Sequence, residues 1–446
     1  TVHLSTDVTP VPMMWVLLLT AYLLSFVIGF SAFGEKGLIV WAGLAVLALT
    51  GAGWVSGLKG GKAFLPNLTI GVLLVLVCCT FLHSWLFRIR PEAFRLTRFY
   101  LGIAAGGALG GASASLLAPA LFTSVREYPL ALVGAIIACA WLLRTWKHPE
   151  LKDLNRVLLV LCAAAFLLVV NQAVKGEGAL LQQSRNFYGC LRTTVNHVPS
   201  ALETPLTINQ FYHGETLHGV QVQDAVLRRQ PSTYFGVLGG GFPIQKHHGY
   251  TNAAPMRVGV IGLGIGTLAC YGRTNDLYRL YEINPQVVTV ATDTNLFTYL
   301  SDSAARLELS VGDARKRLET ERTRNEPRYD VLIVDAYSGD SVPFHLATYE
   351  AFQLYLDRLA PDGTLAIHIS NWHIDLLPLC KVMAEGFGLH MTGVLSGATP
   401  LTCEATWVML TRQPVPFKIP QGAREVDWSK VPTLAMPSDE RGSLLS

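Results

Sequence analysis
The chain of 446 residues is poor in charge: Asp, Glu, Lys and Arg supply 15% of it, where about 25% is usual in soluble proteins. With half of its residues hydrophobic, this shortage excludes intrinsic disorder, which needs low hydrophobicity and high net charge. An excess of one sign is missing too. A formal net charge of +3 is no electrostatic footprint for nucleic acid. Cysteine is scarce: none of the eight stands in a C-x-x-C pair, so neither a zinc site nor a redox dithiol nor a disulfide framework is signalled. No G-x-x-x-x-G-K-[ST] occurs, so the usual cradle for a nucleoside triphosphate is lacking. No G-x-S-x-G occurs either, which argues against an α/β-hydrolase. The histidines fall at no ligand spacing, and no metal site is expected.

What is present is divided unevenly along the chain. The mean hydropathy is +0.35, and most of the long apolar runs lie before residue 175. A helix needs about 20 apolar residues to cross ~30 Å of hydrocarbon. Six segments qualify, roughly 12–33, 37–57, 68–88, 99–122, 128–146 and 154–174. Nothing before the first is Lys or Arg, so it is read as a span and not as a signal peptide. In the fourth, Gly102, Gly106 and Gly110 recur every four residues, a spacing that lets helix backbones approach closely and predicts a central place in the bundle. Almost no ionisable residue falls at mid-membrane, which favours an anchor or scaffold over a transport path. The loops on the side of the soluble half carry Lys59, Lys62, Arg126 and Lys175; the opposite loops carry Lys36, Arg88, Arg90, Arg95, Arg98, Arg144, Lys147, Lys152 and Arg156. The positive-inside rule applied to that bias places the soluble half outside the cytosol.

From about 185 to 230 short strands alternate with turn signals: Arg185–Arg192, Leu206–His213 and Leu217–Val222, with His213-Gly214-Glu215 a turn. The period then changes. Strands Arg257–Gly262, Tyr278–Ile283, Leu307–Gly312, Tyr329–Ala336 and Gly363–Ser370 alternate with helices, two of them near 346–359 and 373–386. That alternation predicts a mostly parallel sheet covered on both faces. Cys403–Thr411 reads as an added edge strand, and the Pro-rich stretch after 413 as irregular.

The chemical signals sit at the carboxyl ends of the strands, where open α/β sheets bind ligands. Gly262-Leu-Gly264-Ile-Gly266 follows the first strand and opens a helix, and its glycines admit close backbone approach to a nucleoside. Glu282 ends the next strand about 20 residues on, where a carboxylate accepts both ribose hydroxyls. Gly312-Asp313-Ala314 ends the third strand, with Asp313 able to accept from an adenine amino group. Asp335 and Asp340, in Asp335-Ala-Tyr-Ser-Gly-Asp340, follow the fourth. Each has a bland alternative, an N-cap for Asp313 and a turn residue for Asp340. Four such signals in order favour a nucleoside site, and G-x-G-x-G followed by G-D-A fits adenosylmethionine better than NAD.

Over about 185–395 the soluble half resembles the spermidine synthase family of aminopropyltransferases, in particular its bacterial members fused to a membrane domain. The resemblance implies a multi-pass α-helical membrane domain joined to an α/β Rossmann-like domain of the class I methyltransferase and spermidine synthase type, with a small β-domain before it. It implies that Glu282 holds the donor's ribose and Asp313 its adenine. Asp335 matches the catalytic aspartate that opens the family's D-[ST]-[ST]-D-P motif, with Asp340 as the second acid. His218-Gly-Val-Gln221 resembles the D-G-x-x-Q stretch and suggests Gln221 as a donor contact; Tyr234 matches the active-site tyrosine. Ser370–Asp375 takes the place of the stretch lining the amine end. Two positions depart from the pattern. Ile265 stands where the family's glycine turn has an aspartate for the donor's terminal amine, and Asp340 follows Asp335 by five residues, not three.

The expected domains are 1–178, a six-helix transmembrane domain; 179–250, a β-hairpin domain and connector; 251–413, the α/β catalytic domain; and 414–446, an irregular tail. The expected co-substrate is adenosylmethionine or its decarboxylated form, without a prosthetic group. The expected partners are a small-molecule amine or other acceptor, the lipid bilayer and a second copy of the chain as a homodimer, but no nucleic acid. The expected location is a bacterial cell membrane crossed several times. Two alternatives stay open: an enzyme that cleaves, cyclises or transfers methyl from intact adenosylmethionine, and a membrane sensor or transporter that binds the nucleoside without turnover. The side of the membrane also stays open, because adenosylmethionine is made in the cytosol while the loop charges favour the other side.

Overall fold
The computed structural model describes residues 14–55, 64–146, 152–174, 179–198, 205–214, 216–336, 343–370, 375–415, 417–419 and 421–440. The chain forms two compact units. The first is Thr1–Glu177 with Gln183–Cys190, the second Gly178–Gln182 with Leu191–Ser446.

The described helices of the first unit are α1 Met14–Gly29, α2 Ala32–Lys36, α3 Leu38–Val55, α4 Phe64–Arg88, α5 Leu96–Ala112, α6 Ala118–Leu121, α7 Glu127–Thr145 and α8 Lys152–Val174. Among the described residues, five segments are long and apolar enough to cross a membrane: Leu38–Val55, Leu65–Arg88, Ala93–Leu121, Glu127–Thr145 and Lys152–Gln172. The first of the six expected spans gives a shorter apolar helix, Val16–Gly29, because the chain turns at Ser31, whose side chain caps α2 by accepting from the Gly34 N–H. The centre of the unit is α3. Its Leu38, Ala42, Ala45, Leu49 and Ala52 are buried three or four residues apart, and it packs on α4, α7 and α8. Alanines there do what the glycines of α5 were expected to do, letting helices approach closely. α5 itself buries no residue, and a Cβ added at Gly102, Gly106 or Gly110 would meet nothing within 4 Å. The glycine stripe therefore faces away from every described helix of its own chain.

The Gln183–Cys190 turn is held in this unit by Arg185, whose guanidinium donates to both Glu127 oxygens (2.7 and 3.0 Å) and to the Ser124 carbonyl. This turn corrects the expected strand Arg185–Arg192. The structure places strands β1 Ala179–Asn186 and β2 Gly189–Val198 on either side of it. Phe187 and Tyr188 favour strands, but Asn186 accepts the Tyr188 N–H through its side chain and Gly189 adopts φ +132, so turn chemistry prevails.

The second unit begins with a four-stranded sheet of order β1-β2-β3-β4, completed by β3 Leu206–His213 and β4 Thr216–Val222. After the short helices α9 Gly241–Lys246 and α10 His248–Thr251 comes the main sheet. Its elements are β5 Arg257–Ile261, β6 Leu277–Glu282, α11 Pro285–Thr292, β7 Arg306–Val311, α12 Ala314–Thr323, β8 Tyr329–Val334, α13 Tyr349–Arg358, β9 Leu359–His368, α14 Leu377–Phe387, β10 His390–Ser396, β11 Ala405–Thr411 and β12 Ala423–Glu425. The strand order is β12-β10-β11-β9-β8-β5-β6-β7. Strands β9, β8, β5, β6 and β7 run parallel, and β10, β11 and β12 antiparallel. Both faces are buried, as the near-continuous apolar strands require: Val331 and Ile333 of β8 join one core, Leu332 and Val334 the other.

Three expectations change. Cys403–Thr411 is not an edge: β11 lies between β9 and β10. β10, a strand with no strong local signal, exists through its partners, and its Gly393 leaves room for Val426 and Trp428. The stretch after 413 adds β12 to that edge.

Candidate active site
Chain order reverses between β5 and β8, which are neighbours although two strands and two helices separate them in sequence. Ligands of open α/β sheets bind outside the carboxyl ends of the strands at such a switch point. Here it joins the glycine turn to Asp335. The Asp335 N–H donates to the Ile261 carbonyl (2.8 Å) and the Gly262 N–H to the Tyr281 carbonyl (3.0 Å). Gly262 adopts φ +100, and a Cβ there would collide with the Asp335 carbonyl oxygen. Glycine is thus required twice, by backbone conformation and by space. Gly264 and Gly266 also have positive φ. The helix expected after this turn is only a five-residue 3₁₀ segment, Thr267–Tyr271, cut short at Gly272, which packs on Ala305 and Ser303.

Glu282 ends β6 with its carboxylate on the glycine turn. It accepts from the Leu263 N–H (3.2 Å) and the Asn284 N–H (2.8 Å). Burial raises its pKa above the ordinary carboxylate value, and these N–H donors oppose the rise. Asp313 N-caps α12, one oxygen accepting from the Lys316 N–H (2.9 Å) and the other 3.1 Å from His345 Nε2. The capping alternative for Asp313 is therefore realised, at the end of β7 beside the buried Ala314. Gln221 is buried in β4 with both ends of its amide engaged: Oε1 accepts from the Thr298 N–H, and Nε2 donates to the Arg228 carbonyl and Thr298 Oγ1. Asp340 lies outside the described residues, as do 371–374 of the expected amine-end stretch.

Asp335 is brought together with Tyr234 by a residue that sequence reasoning did not single out. His368 ends β9, next to β8, and its Nδ1 lies 2.7 Å from Asp335 Oδ1. The imidazole is stacked on Tyr234 (ring centroids 4.3 Å apart) and on Trp407 (4.7 Å). Burial raises the Asp335 pKa, and His368 acts against that rise by charge and by hydrogen bond. The loop holding Tyr234 is fixed to the sheet by the Trp407 Nε1–H, which donates to the Tyr234 carbonyl (3.1 Å). The signal for His368 was a polar residue near the end of an expected strand; that β9 neighbours β8 was not visible.

On the other side of the glycine turn, Ile265 is fully buried against Gly219 of β4. A Cβ at Gly219 would come 2.5 Å from Ile265 Cγ1. The place of the family's aspartate is thus an apolar contact between the glycine turn and β4. Gly219→Ala is expected to lower stability by about 1–3 kcal/mol through overpacking. Urea melts should show the loss, and the double variant with Ile265→Ala should recover part of it. An unchanged midpoint for Gly219→Ala alone would refute the contact. His218, one residue before, has its pKa pushed down to about 3 by burial and by neighbouring His213 and His368, so it is neutral at physiological pH.

No family model matches the chain. A curated relative, the probable polyamine aminopropyl transferase of Bifidobacterium longum (strain NCC 2705), is 26% identical over 206 residues, 41% of this chain and 43% of the relative. The chain thus spans less than half the length of that relative. Among solved structures, the probable spermidine synthase from Corynebacterium glutamicum ATCC 13032 is 15% identical, with 59% of this chain and 100% of that one covered and a TM-score of 0.42. The spermidine synthase from Thermotoga maritima is 15% identical, with 53% and 74% covered and a TM-score of 0.38. A spermidine synthase in complex with the transition state analogue AdoDATO is 16% identical, with 54% and 76% covered and a TM-score of 0.39. The resemblance to the spermidine synthase family carried by the motifs is thus matched by a curated relative named as a polyamine aminopropyl transferase.

Proposed function
We propose that the chain is a membrane-anchored transferase of the spermidine synthase type. An acceptor amine attacks a carbon on the sulfonium of an adenosylmethionine-derived donor and displaces methylthioadenosine, with Asp335 as base. The observation that carries this reading is the buried Asp335 carboxyl at the switch point, its backbone locked to the glycine turn. The name of the curated relative supports the reaction class. The anchor is supported by the five long apolar helices, which leave Leu47, Leu101, Leu109 and Val160 exposed on outward faces, as lipid contact requires.

A sulfonium is a good leaving group and needs no acid. The amine does need a base, because its pKa lies near that of Lys, about 10.4, and only the free amine attacks. A carboxylate beside it accepts the proton and steers the ammonium by charge; holding donor and acceptor in one cleft supplies much of the remaining acceleration. Glu282 holds the ribose hydroxyls, Asp313 the adenine amino group, and the backbone of Gly262, Gly264 and Gly266 admits the donor. Gln221 serves the donor by fixing the Thr298 segment, Tyr234 lines the amine side, and Asp340, outside the described residues, is the second acid. Glu282→Gln is expected to weaken donor binding by about ten- to a hundred-fold, the worth of a hydrogen bond to a charged acceptor. Calorimetric titration with methylthioadenosine measures it, and unchanged affinity would remove Glu282 from the ribose.

Ile265 favours a second reading. The apolar contact with Gly219 offers no anion to the terminal amine of a decarboxylated donor, and a buried ammonium left unpaired is costly. Intact adenosylmethionine, cleaved or cyclised, fits that chemistry better. The deciding experiment offers the detergent-purified protein each donor, with and without putrescine, and identifies products by mass spectrometry. Methylthioadenosine plus spermidine, formed only from the decarboxylated donor and only with putrescine, supports the transferase. Methylthioadenosine from intact adenosylmethionine without amine replaces it with a lyase or cyclising enzyme.

A further inference from the structure
The transferase reading gives Asp335 a proton to accept, and this inference rests on that reading. A buried carboxylate with one base-accepting role must be held in one orientation, since a misplacement of about 1 Å costs up to about a hundred-fold in rate. The structure surrounds Asp335 with what such a role needs. His368 Nδ1 lies 2.7 Å from Oδ1, with the two side chains 5% and 6% exposed. An ionised carboxylate only accepts hydrogen bonds, so the proton of this contact belongs to Nδ1. The imidazole cannot turn away, because the Tyr234 ring (interplanar angle 18°) and the Trp407 ring (20°) stack on it. Both clamping rings are themselves fixed, Trp407 fully buried in β11 and donating its indole N–H to the Tyr234 backbone.

We propose that His368 is the positioning residue of the reaction: its Nδ1–H holds Asp335 Oδ1, leaving Oδ2 to take the acceptor's proton, and Tyr234 and Trp407 hold the imidazole in register. The nitrogen lone pair of the acceptor forms the new C–N bond as the C–S bond breaks. The electrons of that bond stay on sulfur as the neutral thioether, and the proton lost by nitrogen passes to Oδ2. The Nδ1 proton stays on His368 throughout. Among the described residues, the titratable groups beside this pair are His218 from β4, kept neutral by burial and its neighbours, and Tyr234, whose ring stacks on the imidazole. As burial raises the Asp335 pKa and His368 opposes it, taking the imidazole away moves the acid limb of the rate profile to higher pH.

The test compares wild type with His368→Asn, whose shorter amide has no ring for Tyr234 and Trp407 to hold in register. His368→Gln is a second variant should the first melt during purification. Rates with decarboxylated adenosylmethionine and putrescine are measured from pH 5 to 9 in detergent, with melting temperatures alongside. The expected result is a folded variant with kcat lower by about ten- to a hundred-fold, donor KM within about three-fold, and an acid limb at higher pH. A folded variant with the wild-type profile and kcat overturns the inference, as does a loss confined to KM. A wild type that turns over neither donor overturns the transferase reading and this inference with it. A working wild type beside an indifferent variant overturns the inference alone.

Discussion
Asp335→Asn is expected to lower turnover by about a thousand-fold, within the range of general base catalysis, without lowering stability at neutral pH. The two halves of this expectation come from one cause. Burial raises the Asp335 pKa, so the folded protein disfavours the ionised carboxyl. A carboxyl whose folded pKa is raised favours folding below its ordinary value and loses that contribution as pH rises through the ordinary carboxylate range toward the folded value. Above that window the charge is retained at a cost, and Asn, which carries none, relieves it. The amide also keeps an oxygen able to accept from His368 Nδ1–H. Products by mass spectrometry and melting temperatures from pH 5 to 8 check both halves. Full turnover by the variant would end the role of Asp335, and a melting temperature about ten degrees lower at pH 7 would show the carboxylate to be structural. Catalytic groups held against their own stability are a recurrent trade-off.

The second large effect lies away from the site. Glu321→Ala is expected to destabilise the protein by about 3–5 kcal/mol, the range for breaking one side of a buried ion pair. Glu321 of α12 is buried and accepts from Tyr281 Oη (2.5 Å), Tyr329 Oη (2.9 Å) and Arg279 Nη1 (2.8 Å), with Arg358 Nη2 at 3.4 Å. Arg279 keeps Glu308 and Glu326 when Glu321 is removed. Arg358, whose side chain is 3% exposed, keeps the carbonyls of Glu326 and Pro327 and the Tyr329 ring but no carboxylate among the described residues, and the two phenols keep each other but lose their carboxylate acceptor. Against a usual total of about 5–15 kcal/mol, that loss threatens the fold. Urea unfolding of Ala and Gln variants measures it, with the Gln variant between Ala and wild type. A loss under about 1 kcal/mol for Ala would mean that water replaces Glu321.

These two effects differ in how far the sequence announces them. Asp335 stands after an apolar strand and beside a glycine turn, so its place at a strand end is legible from period and punctuation alone. Glu321, in a charged stretch of α12, reads as one more solvated acid. Only the packing of α12 over Tyr281 and Tyr329 buries it. The same division separates Glu282 from His368. Glu282 lies about 20 residues beyond the glycines, a distance set by one strand–turn–strand unit. His368 meets Asp335 because β9 returns to the side of β8 away from β5, and nothing near residue 368 specifies which strand it will pair with.

The sequence by itself determined the apolar helices, the alternating strands of the main sheet, the glycine turn and the acids at the strand ends. All of these follow from local periodicity, side-chain volume and backbone freedom. The tertiary structure alone decided that α3 and not α5 is the centre of its unit, that β11 is interior and β10 exists, that Asn186 and Gly189 make a turn, and that Asp335 is held by His368 under Tyr234 and Trp407. Each of those depends on contacts between segments far apart in the chain, where burial and pairing outweigh local preference.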